Sequence, residues 1–336
     1  MKRFLAAILL VTALASSFSN AESGGGTLSS FLAAQGLVGA KLERRFGNHL
    51  QLPATINNRR AVLMVDTGAP ITIIDRNSAG TFGLKVEKTS STVGGAFGTR
   101  WERYGVSMVK SIAMGNCTLT NVPVGLSDES GMNNDVGAAE TGTNIRASAL
   151  RAHLNGLLGS REMRKFGMII DCTRQMLYVN PSGSSAALSQ KLAGFLTGRG
   201  FTRVPMRLNP NNHFDVQGAL NGHSTHFIVD TGSSTTLVDK RIANLASVGF
   251  VPTGLGAETG TGSVERISSG GVKELTIGTF TIAKADVSVA NLSGDVLLSK
   301  SAESNAGLLG AEYLALNFAI IDVGGMALYL RHPDSR

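Results

Sequence analysis

One pentapeptide occurs twice in this chain, and the pair constrains the fold more than any other feature. Val65-Asp66-Thr67-Gly68-Ala69 returns as Val229-Asp230-Thr231-Gly232-Ser233, a shift of 164 positions (230 less 66). Each copy follows an apolar run and precedes another: Ala61-Val62-Leu63-Met64 and Ile71-Thr72-Ile73-Ile74 in the first, Phe227-Ile228 and Thr235-Thr236-Leu237-Val238 in the second. Self-similarity at a fixed shift signals a duplicated structural unit. The same shift pairs Leu28 with Leu192, Phe31 with Phe195, Gly36 with Gly200, Asn48-His49 with Asn212-His213, and Asp75 with Asp239.

Within each copy the pattern reads as mostly β. A lead-in over Leu28–Ala34 and over Ala187–Thr197 has helical apolar spacing and closes near a glycine, predicting a short helix with a C-cap. Val204–Leu208 and Phe214–Leu220 alternate as strands, and Asn57-Asn58 and Asn221-Gly222 predict hairpin turns feeding the motif strand. Beyond the motif each copy carries a glycine patch, Gly94-Gly95-Ala96-Phe97-Gly98 and Gly260-Thr261-Gly262, read as a mobile hairpin tip or flap, with Trp101 and Tyr104 beside the first. A third block, Gly156-Leu157-Leu158-Gly159, meets Gly307-Leu308-Leu309-Gly310 at a shift of 151 (308 less 157), so the first copy holds extra residues. They fall mostly in the polar segment 128–147, expected to be an extended loop.

These landmarks divide the chain into 1–21, 22–181 and 182–336, with the boundary between copies in the turn-rich Asn180-Pro181-Ser182-Gly183-Ser184-Ser185. Residues 1–21 have the basic, apolar, small-residue order of a signal peptide, with cleavage expected after Ala21. The expected location is therefore periplasmic or secreted, with no stable membrane anchor after cleavage. In an oxidising space Cys117 and Cys172 could bridge; their counterparts Phe280 and Val323 are apolar, which favours two packed thiols. The formal charge is +7, falling to +5 without Lys2 and Arg3, and the cations are scattered as pairs without an aromatic-interleaved stripe, so nucleic acid is not an expected partner.

Duplication predicts a pseudo-twofold relation, as in an isologous dimer joined into one chain, so a monomer is expected. Asp66 and Asp230 then face one another. Two carboxylates a few ångströms apart share a proton, so one can take a proton from water while the other gives one to a carbonyl oxygen. Such a pair needs neither metal nor cofactor. Gly68 and Gly232 allow the tight turn, and Thr67 and Thr231 can hydrogen-bond across the interface. Ser233 differs from Ala69 by a hydroxyl; if it donates to Asp230, Asp230 is the ionised member and Asp66 the protonated one. Asp75, Asp239, Asp171 and Asp322 are read as turn caps, His223 and His226 as exposed, and His49 and His213 as strand residues.

Asp-Thr-Gly after an apolar strand, a glycine-bearing hairpin, and two apolar residues with glycine before a short helix resemble the aspartic peptidases of the pepsin and retropepsin kind, and most nearly bacterial retropepsin-like proteins with two copies in one chain. The resemblance spans about Leu28 to Leu330. It implies two acid-protease-like β-barrel lobes of about six strands with few helices, Asp66 and Asp230 as catalytic aspartates, Thr67 and Thr231 as loop-locking threonines, and an extended polypeptide in a cleft between lobes. It implies an aspartic endopeptidase; a substrate-specific processing protease and a non-catalytic peptide-binding protein are the alternatives. The lead-in helix departs from the retroviral pattern.

Overall fold

The computed structural model describes residues 26–45, 48–93, 102–133, 153–258, 264–292 and 305–333. The signal-peptide region, the glycines of both flap tips (Gly94, Gly95, Gly98, Gly260, Gly262), Trp101 and most of the 128–147 loop lie outside them.

The motif strands Arg59–Val65 and His223–Val229 each form a hairpin with the strand before them, Leu50–Ile56 and Phe214–Leu220. Their turns are Asn57-Asn58, with φ of 48° and 65°, and Asn221-Gly222, with φ of 50° and 83°. Two consecutive left-handed residues give the turn twist that matches paired strands, and asparagine tolerates it. Asparagine is also used for its side chain: Asn57 Oδ1 accepts from the amides of Lys110 and Ser111, and Asn221 Oδ1 from those of Lys273 and Glu274. Each turn is thereby fastened to a third strand of its own lobe.

Each copy builds an eight-stranded sheet that closes partly on itself, because its second strand pairs with both the motif strand and the long strand at 102–114 or 264–277. The strands on either side of the flap tips are paired. Glu87–Val93 pairs with Glu102–Met114, and Gly249–Glu258 with Val264–Ile277, each with a register shift, at Lys88/Thr92 and Pro252/Gly256.

The lobes carry more strands than the six implied by resemblance, and a third sheet joins them. It is six-stranded: Val38–Lys41, Met176–Val179 and Ile169–Asp171 from the first copy continue into Ile320–Asp322, Ala327–Leu330 and Thr202–Pro205 from the second. One face sends Ile170, Leu177, Ile321 and Leu328 into the main core. The other sends Ile169, Tyr178, Ile320 and Tyr329 against the helices Leu28–Ala34 and Ala186–Thr197. Those helices match the expected lead-ins. Thr27 and Ser185 cap their N-termini, and Gly36 and Gly200 turn the chain away at φ of 87° and 79°.

Residues at equal places in the two copies touch one another. The rings of Phe31 and Phe195 stack at 4.2 Å, and Ile170 faces Ile321 at the middle of the shared sheet, flanked by the reciprocal pairs Ile169–Asp322 and Asp171–Ile320. Reciprocal contacts of this kind define a local twofold relation. Among the described residues no helix is long and apolar enough to cross a membrane. Cys117 and Cys172 are both buried free thiols; burial raises both, Cys172 to about 12. Their counterparts Phe280 and Val323 are likewise buried.

Candidate active site

Each motif strand runs parallel to the block that contains the Leu-Leu-Gly, Val65 beside Leu158 and Val229 beside Leu309. The ladder continues one residue beyond the strand: the amides of Asp66 and Asp230 donate to the carbonyls of Leu158 and Leu309, both at 3.0 Å. On the far side of the loop, the amides of Ser160 and Ala311 donate to the carbonyls of Ala69 and Ser233, both at 2.8 Å. Glycine is required where the block passes under the loop. A Cβ on Gly159 would lie 2.2 Å from the carbonyl of Ile71, and one on Gly310 would lie 2.3 Å from the carbonyl carbon of Thr235.

Thr67 and Thr231 are fully buried and lock the loops reciprocally. The Thr67 amide donates to Thr231 Oγ1 and the Thr231 amide to Thr67 Oγ1, each at 3.0 Å. The Thr67 hydroxyl donates to the Val229 carbonyl at 2.7 Å, and the Thr231 hydroxyl to the Val65 carbonyl at 2.6 Å. These four bonds tie each Asp-Thr-Gly loop to the opposite copy.

The grip brings the two carboxyl groups together. Each lies directly over the glycine of the other loop: a Cβ on Gly68 would sit 2.5 Å from Asp230 Oδ1, and one on Gly232 would sit 2.5 Å from Asp66 Oδ1. Asp66 Oδ1 accepts from the amides of Gly68 and Ala69 at 2.8 and 3.1 Å, and Asp230 Oδ1 from those of Gly232 and Ser233 at the same two distances. Burial pushes both carboxyls above the usual range, and the neighbouring charge of Asp230 raises Asp66 further. Two close, buried carboxyls cannot both ionise cheaply, so the pair retains a proton where isolated aspartates have lost theirs.

The expectation for Ser233 is corrected. Its hydroxyl donates to the Thr235 carbonyl at 2.7 Å and leaves Asp230 only main-chain donors, as Ala69 leaves Asp66. An Oγ that closes a turn with the carbonyl two residues on is already spent. Ser233 therefore gives no reason to divide the roles of the two aspartates.

The second correction concerns His226, which is buried at 7% exposure with Nδ1 3.1 Å from Asp215 Oδ2; His223 is half-buried. The strand His223–Val229 becomes wholly buried from Thr225 onward, which carries His226 inside. His213 is also buried, just before Phe214–Leu220, and burial lowers its pKa from 6.5 to about 4. Three of the recurring aspartates act as the expected turn caps: Asp239 caps the helix Lys240–Leu245, and Asp171 and Asp322 accept the amides of Arg174 and Gly325. Asp75 makes no side-chain cap bond and instead accepts from the Glu129 amide and the Asn77 side chain.

Sequence reasoning missed the supports behind the loops. Thr72 and Thr236, both fully buried, accept from the amides of Gly159 and Gly310 at 3.1 and 2.9 Å. In turn the Thr72 amide donates to Glu162, and the Thr236 amide to Glu312. The threonines recur at the shift of 164 and were findable. The glutamates were not, because they do not occupy equal positions in the repeat.

A duplicated β fold whose halves present paired Asp-Thr-Gly loops across a reciprocal threonine lock defines an aspartic peptidase. Comparison with known families agrees in each half: residues 52–160 match the model described as "Aspartyl protease", and residues 216–315 match "gag-polyprotein putative aspartyl protease". Each half of the chain thus carries an aspartyl protease domain, and the protein is an aspartic-type endopeptidase. A crystal structure of a retropepsin-like aspartic protease from Rickettsia conorii is similar at 18% identity, over 43% of this chain and 90% of that one, with a TM-score of 0.28. No curated protein matches the sequence.

Proposed function

We propose that the protein hydrolyses peptide bonds of an extended polypeptide with a water activated between Asp66 and Asp230. The ionised member takes a proton from the water as its oxygen bonds to the carbonyl carbon; the protonated member gives its proton to the carbonyl oxygen. The resulting tetrahedral diol then collapses. A proton passes to the amide nitrogen, the C–N bond breaks, and a carboxylic acid and an amine leave. The reading needs no metal, cofactor or covalent intermediate. Its chief support is that the two carboxyls are buried, that each lies over the glycine of the opposite loop, and that they are matched in their main-chain donors.

The test is digestion of casein and of a peptide library by the purified protein from acid to neutral pH. Asp66→Asn and Asp230→Asn should each reduce turnover by about 10²–10⁴-fold, the usual worth of a general acid or base. Cleavage that survives either substitution rules the mechanism out. We further propose that the enzyme acts after export, as a monomer, in the periplasm or outside the cell. A mature N-terminus at Glu22 in the exported fraction is the expected observation, and an intact Met1 there would contradict it. Activity confined to one protein, with casein untouched, would instead identify a processing protease.

A further inference from the structure

Strand alternation says which side chains of each lobe share a face with the carboxyl. Val65 and Leu158 point into the main core, as does Val229 with Leu309. Alternation therefore sends Met64 and Leu157 in the first lobe, and Ile228 and Leu308 in the second, to the opposite face, from which Asp66 and Asp230 emerge. Ala69 and Ile71 continue that face in the first lobe, and Ala257 and Ile267 of the flap strands pack on it in the second. It thus lies between the Asp-Thr-Gly loop and the flap.

The two faces differ in chemistry at one place. Around Ile71 the surface is apolar: a Cβ on Gly125 would lie 3.1 Å from Ile71 Cδ1, 3.4 Å from Tyr104 Cδ2 and 3.6 Å from Ile73 Cγ1. Hydrocarbon and an aromatic ring close over bare backbone there. Sheet register identifies the counterparts. Gly125 pairs with Ile73 and Val106, and Ser288 pairs with Leu237 and Ser269. Ser288 therefore replaces Gly125, and two residues before the paired Val106 and Ser269, Ile267 replaces Tyr104, both at a shift of 163 (288 less 125). Thr235 replaces Ile71, and its Oγ1 lies 3.4 Å from Ser288 Oγ.

Three equivalent positions thus change in one direction, Ala69 to Ser233, Ile71 to Thr235 and Gly125 to Ser288, each gaining a hydroxyl. The Ser233 hydroxyl is committed to the Thr235 carbonyl. The Thr235–Ser288 contact is long beside the usual O–H···O length of about 2.7–2.8 Å, and both residues are partly exposed. A hydroxyl donates once and accepts twice, so this pair keeps capacity for a ligand.

We propose that Thr235 and Ser288 form a hydrogen-bonding specificity subsite and that Ile71 and Tyr104 form its apolar counterpart. The substrate is then a polypeptide with a hydroxyl or carboxamide side chain on one side of the cleaved bond and an apolar side chain on the other. The inference rests on the proposed function, since a chain laid across both carboxyls meets both lobes. It also supplies what the matched loops lack. A twofold site receives a peptide in either direction, whereas unequal walls favour one, because the reversed chain sets its apolar side chain against the hydroxyls and its polar one against Ile71 and Tyr104.

The experiment measures calorimetric affinity for octapeptides whose central peptide bond is reduced to CH2–NH and so resists hydrolysis, with one position at a time varied among Leu, Thr and Asn. The wild type should show a position on one side of the central bond where Thr or Asn binds about 2- to 10-fold tighter than Leu, the worth of one hydrogen bond, and a position on the other side where Leu binds tighter. Thr235→Val, which keeps the side chain's shape, should abolish the polar preference and leave the apolar one. Thr235→Ile with Ser288→Gly, which writes the first lobe's residues into the second, should make Leu preferred on both sides. Ile71→Thr should weaken only the apolar preference. A Thr235→Val protein that retained the wild-type polar preference, or a wild type with the same preference on both sides, would overturn the proposal. So would failure of every octapeptide to bind. The expected preferences without hydrolysis of the unreduced peptides would count against the proposed function alone.

Discussion

The Asp-Thr-Gly loops of the two lobes and the helices behind them are copies of one unit, yet they have diverged to different degrees. Where a side chain meets its own counterpart across the axis, the two copies carry the same residue: Phe31 and Phe195, Asp66 and Asp230, Thr67 and Thr231, Ile170 and Ile321. Gly68 and Gly232 belong to the same group, since each lies under the other loop's carboxylate. Where a side chain meets only its own lobe, identity persists in some pairs, such as Thr72 and Thr236, and lapses in others: Ala69 against Ser233, Ile71 against Thr235, Arg161-Glu162 against Glu312-Tyr313. An atom on a twofold axis is constrained by both copies at once, so a change there disturbs a contact from two sides. Away from the axis, each lobe is free to solve the same mechanical problem with different chemistry.

The sharpest way to break this comparison is to load the axis. Gly68→Ala and Gly232→Ala each place a methyl 2.5 Å from the opposite carboxylate, so both should reduce turnover by at least about 10²-fold, the lower worth of the acid–base pair, and by similar factors. If one variant retained wild-type activity, the two loops would not be equivalent. Next in size is the threonine lock. Thr67→Val leaves the Val229 carbonyl and the Thr231 amide buried without partners, and Thr231→Val does the same to Val65 and Thr67. Each should cost about 2–4 kcal/mol in denaturant unfolding, the penalty for two unsatisfied buried groups. The double variant should cost less than the sum, because both remove members of one network.

A smaller effect separates the lobes by pH. His213 is buried with its pKa lowered from 6.5 to about 4, whereas its counterpart His49 is half-buried. A base depressed on folding contributes stability that is complete above 6.5 and is lost as pH falls through about 4. The full swing is up to about 3 kcal/mol. His213→Gln should remove that loss on the acid side, read as thermal stability against pH, while His49→Gln should leave it unchanged.

Much of this architecture was legible because duplication exposes it. The Asp-Thr-Gly loops, the Leu-Leu-Gly blocks, the lead-in helices and the asparagine hairpins each recur at a fixed shift, and a position that recurs can be read without knowing its contacts. What stayed hidden depended on partners distant in the chain or out of step with the repeat. The burial of His226 needs Asp215 on the adjoining strand, which local pattern does not reveal. The shared sheet needs Ile169–Asp171 to find Ile320–Asp322 in the other lobe. The loop supports needed recognition that carboxylates at unequal positions, Glu162 and Glu312, reach equivalent threonines, because adjacent residues at the start of a short helix can both approach the same loop.

The smallest effect expected is at the position where the two motifs differ. Ser233 invites the idea that its hydroxyl polarises the pair toward an ionised Asp230, but the hydroxyl is committed to the Thr235 carbonyl and the carboxylate distances are the same in both loops. Removing it in Ser233→Ala should cost no more than about 0.5–1.5 kcal/mol, the net worth of one partly exposed hydrogen bond. Its main-chain donation to Asp230 is untouched, since alanine supplies the same amide. The pH dependence of kcat/KM should therefore superimpose on that of the wild type. A displaced limb would mean that the Ser233 hydroxyl turns toward Asp230 when substrate binds, and that the equality of the two loops belongs only to the free enzyme.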